Sequence, residues 1–247
     1  MIKNYIIFRD YETAERNPLG AQPTELAAVA IDPRSLEIVP DSIFSTKICP
    51  IWDDEQAIKS GWLPVDYKAL DVCGFTKQDL ENSPQPKVVW QEYQNYLVKY
   101  NLKGKNGSNF DSPIVAGFNS SKFDDVIDIN MCNKFGPKLN DRGDWTLYHP
   151  IVRFDLLHFM HGVLNNIQIN RRNSMSMDAI REYFGMDTEF SHRAEFDVLQ
   201  GAMLLIKFLR LHRNLNEGKL ELKPGAKIVY KNSFKAENEK IKQLLQL

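Results

Sequence analysis

Asp10 and Glu12 stand one residue apart at the end of the mostly apolar, strand-like run Tyr5-Ile6-Ile7-Phe8-Arg9. Side chains in an extended segment alternate faces, so these two carboxylates project to the same side. Two acids converging at the end of a buried strand repel each other, and the usual partner that makes them tolerable is a divalent cation with oxygen ligands. Other groups of the right type lie at Asp124, at Asp197 and at His192, an imidazole five residues before Asp197. A D-x-E pair alone carries little weight, since about one is expected by chance in a chain this rich in acids. The order of the motifs carries more. D-x-E follows the first strand directly. Asn119 and Phe123-Asp124-Asp125 follow a later strand ending in Gly117-Phe118, and His192-x-Ala194-x-x-Asp197 opens the last long helix.

The elements that must position these residues alternate in type. Leu26–Ile31 reads as a buried second strand, Asp32-Pro33-Arg34-Ser35 as a tight turn and Ile43–Ile48 as a third strand, an antiparallel meander with the acids on its first member. A short helix is expected over Asp54–Lys59, and a polar helix start at Thr76. Val89, Tyr93, Tyr96, Leu97 and Tyr100 recur at helical spacing in Val88–Tyr100, and this aromatic stripe reads as core packing rather than a base-stacking platform. Pro113–Phe118 is a fourth strand leading into a helix that ends near Lys134. Ile151–Phe154 is a fifth, with Asp155 placed to cap a helix over Leu156–Leu164. Ser176 caps Met177–Phe184, Gly185 stops it, and a long apolar helix runs from Ala194 to Arg213. Residues 101–113 and 136–150 read as loops. The pattern predicts an α/β domain over residues 1–213, a five-stranded mixed sheet flanked by helices. Residues 214–247 form a short appendage whose charged helix, Ala236–Leu245, packs on the core or trails from it.

Composition narrows the class. With 43% apolar and 26% charged residues the chain has the make-up of an ordinary soluble globular protein. No apolar run approaches the roughly 20 residues needed to span a bilayer, and no membrane partner is expected. Met1-Ile2-Lys3-Asn4 runs straight into a strand, so no signal peptide is expected. Cys49, Cys73 and Cys132 are scattered and form no C-x-x-C, which predicts a reducing, cytoplasmic setting without disulfides or a zinc knuckle. The net charge of −1 hides an asymmetry: residues 205–247 carry ten Lys/Arg against four Asp/Glu. By charge alone that segment is a solvated helix; it is also the visible candidate for contact with a polyanion or a partner. His158 and His161 lie three apart on one helix, but without a nearby cysteine or carboxylate pattern they read as ordinary histidines.

Taken together, Asp10-Tyr11-Glu12-Thr13, Gly117-Phe118-Asn119 with Phe123-Asp124-Asp125, Cys73-Gly74-Phe75-Thr76, Phe154-Asp155-Leu156 and His192-Arg193-Ala194-Glu195-Phe196-Asp197 resemble the motifs of the DEDDh 3′→5′ exonucleases of the ribonuclease H-like superfamily. The doubled aspartate and wide asparagine spacing are nearest the exonuclease I catalytic domain. The resemblance covers residues 5–213 and implies a ribonuclease H-like fold. It also implies a metal-dependent hydrolase that removes nucleoside 5′-monophosphates from a single-stranded 3′ end, DNA in preference to RNA. Phosphodiester hydrolysis of this kind uses two divalent ions, Mg²⁺ or in its place Mn²⁺. The resemblance assigns Asp10 as the ligand shared by both ions, with Glu12, Asp124 and Asp197 completing their shells. His192 becomes the general base, its ordinary pKa near 6.5 being usable at neutrality. Tyr11, Thr13, Asn119 and Phe123 are candidates to touch the terminal nucleotide, Asn119 equally as a turn former and Phe123 also as a wedge behind Asp124. An exoribonuclease, or a proofreading or accessory subunit of a DNA polymerase, is the alternative; a polymerase or a single-strand-binding protein is the candidate protein partner.

Overall fold

The computed structural model describes residues 3–102, 108–137, 147–165, 176–188, 193–220 and 233–246. Strand β1 (Ile6–Thr13) is the middle of the sheet. It pairs antiparallel with β2 (Pro23–Asp32) along its whole length, from Ile6 opposite Ile31 to Thr13 opposite Pro23. On its other side it pairs parallel with β5 (Ile114–Gly117), which in turn pairs parallel with β6 (Arg153–Asp155). The far edge of β2 takes two short partners, β3 (Glu37–Ile38) at one end and β4 (Phe44–Lys47) at the other. The expected five-stranded mixed sheet is therefore present, with the two-residue β3 added after the Asp32–Ser35 turn.

Both faces of the sheet are covered, and the alternation along β1 sorts its side chains between two cores. Ile6 and Phe8 pack with Ala27, Val29 and Ile31 against the long helix α8 (Ala194–Asn216), through Leu199, Ala202 and Met203. Ile7 and Tyr11 pack with Ala28 and Ala30 on the opposite face, against α4 (Pro86–Val98) and α5 (Asp124–Phe135), through Val89, Trp90, Tyr93 and Ile127. Strands buried on both faces read as continuous apolar runs, as β2 does. The aromatic stripe of α4 is core, as expected, with Tyr93 fully buried and stacked on Tyr96. That helix starts at Pro86 rather than Val88, since proline suits a first helical turn that needs no N–H donor.

The smaller helices follow the local signals. Asp53 caps α1 (Asp54–Lys59), and Thr76 closes a capping box with Asp79 at the start of α3 (Lys77–Glu81). Between them α2 (Tyr67–Val72), which periodicity does not announce, is capped by Asp66. Asp155 accepts from the Leu157 N–H at the start of α6 (Leu156–Asn165). Ser176 caps α7 (Met177–Phe184), and Gly185 ends it in the left-handed conformation. Helix α9 (Lys235–Leu245) packs on the body instead of trailing: Phe234 and Ile241 are buried in the α8-side core. Lys207 Nζ lies 2.8 Å from Glu237, and Lys242 Nζ 2.7 Å from Asp187. Between α8 and α9, residues 221–232 lie outside the described residues.

Candidate active site

The acids of β1 meet α8 because the two elements approach unusually closely. A Cβ built at Gly201 would overlap the ring of Phe8, so only glycine lets the helix lie this near the strand. From Phe8 on to Asp10 the strand advances about 6.6 Å, and from Gly201 back to Asp197 the helix retreats about 6 Å, so the two pairs stay in step. Asp197 thus arrives above the face that Asp10 and Glu12 share. One carboxylate oxygen from each of Asp10, Glu12 and Asp197 lies within 4.8 Å of the other two. Arg181 of α7 pairs through Nη2 with Asp197 Oδ1, and the Cys73 thiol donates to Glu12 Oε2 at 2.9 Å.

Asp124, the fourth expected ligand, stands beside this trio without belonging to it. It opens α5 directly after β5 and is buried, and its Oδ1 accepts the Tyr11 N–H at 3.1 Å. Behind it lies a buried charge network that the sequence motifs do not announce. Arg9 is fully buried on the face of β1 opposite Asp10. Its Nε donates to Asp128 at 2.7 Å and its Nη2 to Asp125. Its Nη1 makes no hydrogen bond and lies 3.9 Å from Asp124 Oδ1. Tyr11 donates its hydroxyl to Asp128 at 2.7 Å, and Arg153 pairs with Asp125 at 3.0 Å. Asp125 is therefore a buried ion-pair partner in the first turn of α5.

Three candidates to touch the terminal nucleotide have other partners in this structure. The Tyr11 side chain has the opposite parity from Asp10 and Glu12, is buried against α4 and α5, and spends its hydroxyl on Asp128. Thr13 is buried and donates its hydroxyl to the Glu15 carbonyl at 2.7 Å. Asn119 sits at φ 53° in a turn clamped by Asp155, which accepts from the Asn119 N–H and from the N–H and hydroxyl of Ser121. Its backbone thus has the turn-forming role. Phe123 is partly buried against the α4–α5 core and precedes Asp124, the wedge position. His158 is exposed, with Nδ1 3.7 Å from Asp155, and no metal-type cluster among the described residues includes it or His161. His192, the expected base, lies outside the described residues.

Burial sets the protonation of the cluster. It lifts the Asp10 carboxyl well above the usual range, with the charges of Asp124, Glu12 and Asp197 adding to the effect. Glu12 is pushed up to about 7, chiefly by burial, against the stabilising Cys73 thiol. Asp124 is pushed up to about 7, again by burial, although Arg9 pulls the other way. The Cys73 thiol is raised by burial and by Glu12. Burial opposes the charge on Arg9, but Asp128, Asp124 and Asp125 more than offset this and keep it protonated. Crowded carboxyls that hold protons at neutrality are a site short of positive charge. An all-oxygen donor set with oxygens this close fits a hard divalent cation.

A scan of protein-family models and a sequence comparison with curated proteins both find no match. Comparison with solved structures does. The chain is similar to E. coli exonuclease I in complex with a dT13 oligonucleotide, at a TM-score of 0.64 and 18% identity over 87% of this chain and 43% of that one. It is similar to the zinc-bound form of the E. coli exonuclease I complex with single-stranded DNA, at 0.64 and 19% over 88% and 43%. A complex of exonuclease I with a C-terminal segment of single-strand-binding protein gives 0.56 and 19% over 88% and 46%. The chain thus spans less than half the length of these neighbours. Across nearly nine-tenths of its own length it shares the mixed α/β fold of that part of exonuclease I.

Proposed function

We propose that this chain is a metal-dependent 3′→5′ exonuclease that hydrolyses single-stranded DNA to nucleoside 5′-monophosphates. The observation that carries the reading is the convergence of Asp10, Glu12 and Asp197, from β1 and α8, in the frame of an enzyme whose structures hold DNA oligonucleotides. Asp10, Glu12, Asp124 and Asp197 would hold two Mg²⁺ ions, or Mn²⁺ in their place. Such ions supply charge neutralisation at the phosphate and make a bound water more acidic. The chain's own groups do the rest. The raised carboxyls hold protons where cations would bind, and binding would release those protons. His192 takes the proton of the attacking water. In this reading the last nucleotides enter a cavity of about 390 Å³ beside Cys73, where Lys47 and Arg193 stand with Glu25 and Asp79 around an apolar wall of Val72 and Phe75. The protein partner in this reading is a single-strand-binding protein, as in the exonuclease I complex.

The test is digestion of 5′-labelled DNA and RNA oligomers of equal length, with Mg²⁺ and with EDTA. Stepwise shortening of DNA from the 3′ end, release of mononucleotides and arrest by EDTA are expected. Intact DNA in the presence of Mg²⁺ and of Mn²⁺ would overturn the reading. Faster loss of RNA than of DNA would overturn its substrate.

A further inference from the structure

We propose that Arg181 is a positioning residue for the cation site, a buried guanidinium that fixes the carboxylate of Asp197. The inference deepens the reading above, because it takes Asp197 as a metal ligand.

Asp197 sits in the first turn of α8, where the helix backbone by itself leaves its side chain free to turn. Arg181 reaches it from α7 with a side chain only 1% exposed. All three of its nitrogens are committed: Nη2 to Asp197 Oδ1, Nε to Gln200 Oε1 at 3.0 Å and Nη1 to Asp178 Oδ1 at 3.0 Å. Gln200 is itself fully buried and donates onward to the Asp187 carbonyl at 2.7 Å. A guanidinium is planar, so holding two of its edges fixes the third. Asp197 and Gln200, three residues apart on α8, share one face, and Arg181 clamps that face from a second helix.

A purely structural part, docking α7 on α8, needs less than this. Ile180 and Phe184 already pack α7 into the α8-side core, and the Gln200 bond adds a polar anchor. The bond to Asp197 contributes something else: it sends a buried cation to a group with one oxygen within 4.8 Å of oxygens of Asp10 and Glu12. A second cation nearby repels a metal ion, which argues for weaker binding. Against that, a ligand left unoriented loses affinity, and removal of such outer partners costs about 10–100-fold in metal sites. Because the Arg181 charge is already neutralised by Asp197 and Asp178, orientation outweighs repulsion.

The experiment is a calorimetric titration with Mn²⁺, without nucleic acid, alongside circular dichroism to confirm the fold. Arg181→Met keeps the aliphatic bulk and loses the fork; its Mn²⁺ affinity should fall by about 10–100-fold. Arg181→Lys keeps the charge without the planar fork and should recover only part of the loss. Asp178→Ala frees one of the two edges that fix the fork and should lower the affinity by less than Arg181→Met does. In an Asp197→Asn background, Arg181→Met should have no further effect, because the two act as one unit. Parent-level affinity in folded Arg181→Met, or additive losses in the double variant, would overturn the proposal. If Arg181→Met does not fold, Arg181→Lys at parent affinity overturns it equally. A protein that shows the Mn²⁺ coupling but cleaves no DNA keeps this inference and loses the exonuclease reading.

Discussion

Raising the pH of the metal-free protein from 5 to 8 should cost it stability, and Mg²⁺ should remove most of that cost. Glu12 holds its proton up to about 7 in the folded chain against an ordinary value of 4.5, and Asp124 up to about 7 against 3.8. Between those values folding takes up protons that the unfolded chain has released. The stability is therefore full below about pH 4 and is lost as the pH rises through about 7. At about 1.4 kcal/mol per pH unit, either group alone accounts for about 3–4 kcal/mol. Both share the cluster with Asp10 and release their protons as a set, so the loss is of the order of one group rather than of the sum. For a chain of this size about 3 kcal/mol is worth about 6–12 °C in Tm. Differential scanning calorimetry at intervals from pH 5 to 8, in EDTA and in saturating Mg²⁺, reads it directly. Tm should fall with pH in EDTA, and the rise conferred by Mg²⁺ should grow with pH, because the cations take the place of the protons. A metal-free Tm that holds level or climbs from pH 5 to 8 would refute the reasoning, as would an equal Mg²⁺ effect at both ends.

Three further outcomes follow from the geometry. His192→Ala should lower turnover by about 10²–10⁴-fold while Mg²⁺ affinity, measured by calorimetry, persists; wild-type turnover would remove His192 as the base. Asp128→Ala leaves Arg9 as a buried, under-compensated cation and takes away the partner of the Tyr11 hydroxyl, so urea unfolding should show a loss of about 3–5 kcal/mol. A change below about 1 kcal/mol there would mean that the network is not load-sharing. Gly201→Ala forces α8 away from Phe8 and should cost about 1–3 kcal/mol, with weaker Mn²⁺ binding as Asp197 moves off Asp10; parent-level stability would contradict the close approach.

The legible parts of the site are those whose signal is local. The shared side of Asp10 and Glu12 follows from the two-residue repeat of a strand, and the caps at Thr76, Asp155 and Ser176 follow from side chains that bond their own neighbours. The same repeat places the Tyr11 side chain on the far side from the acids, in the core against α4 and α5. A lone glycine inside the apolar run of α8 signals close packing, and it marks where helix and strand touch. The Arg9 network is different. Its bond to Asp128 joins residues 119 apart, and nothing near either one tells a buried aspartate from an exposed one.

What the chain's order of residues determines by itself is thus a set of elements, the faces they offer and the kind of chemistry their acids support, because periodicity, capping and charge act over a few residues. Only the tertiary structure decides that α8 comes near enough to β1 for Asp197 to join Asp10 and Glu12. It also decides that Asp124 stands beside them, held by the Tyr11 amide and faced by Arg9, and that Arg181 backs Asp197 from another helix. These are contacts between distant segments, set by which side chains fill the space between sheet and helix, and no short stretch of sequence carries that information.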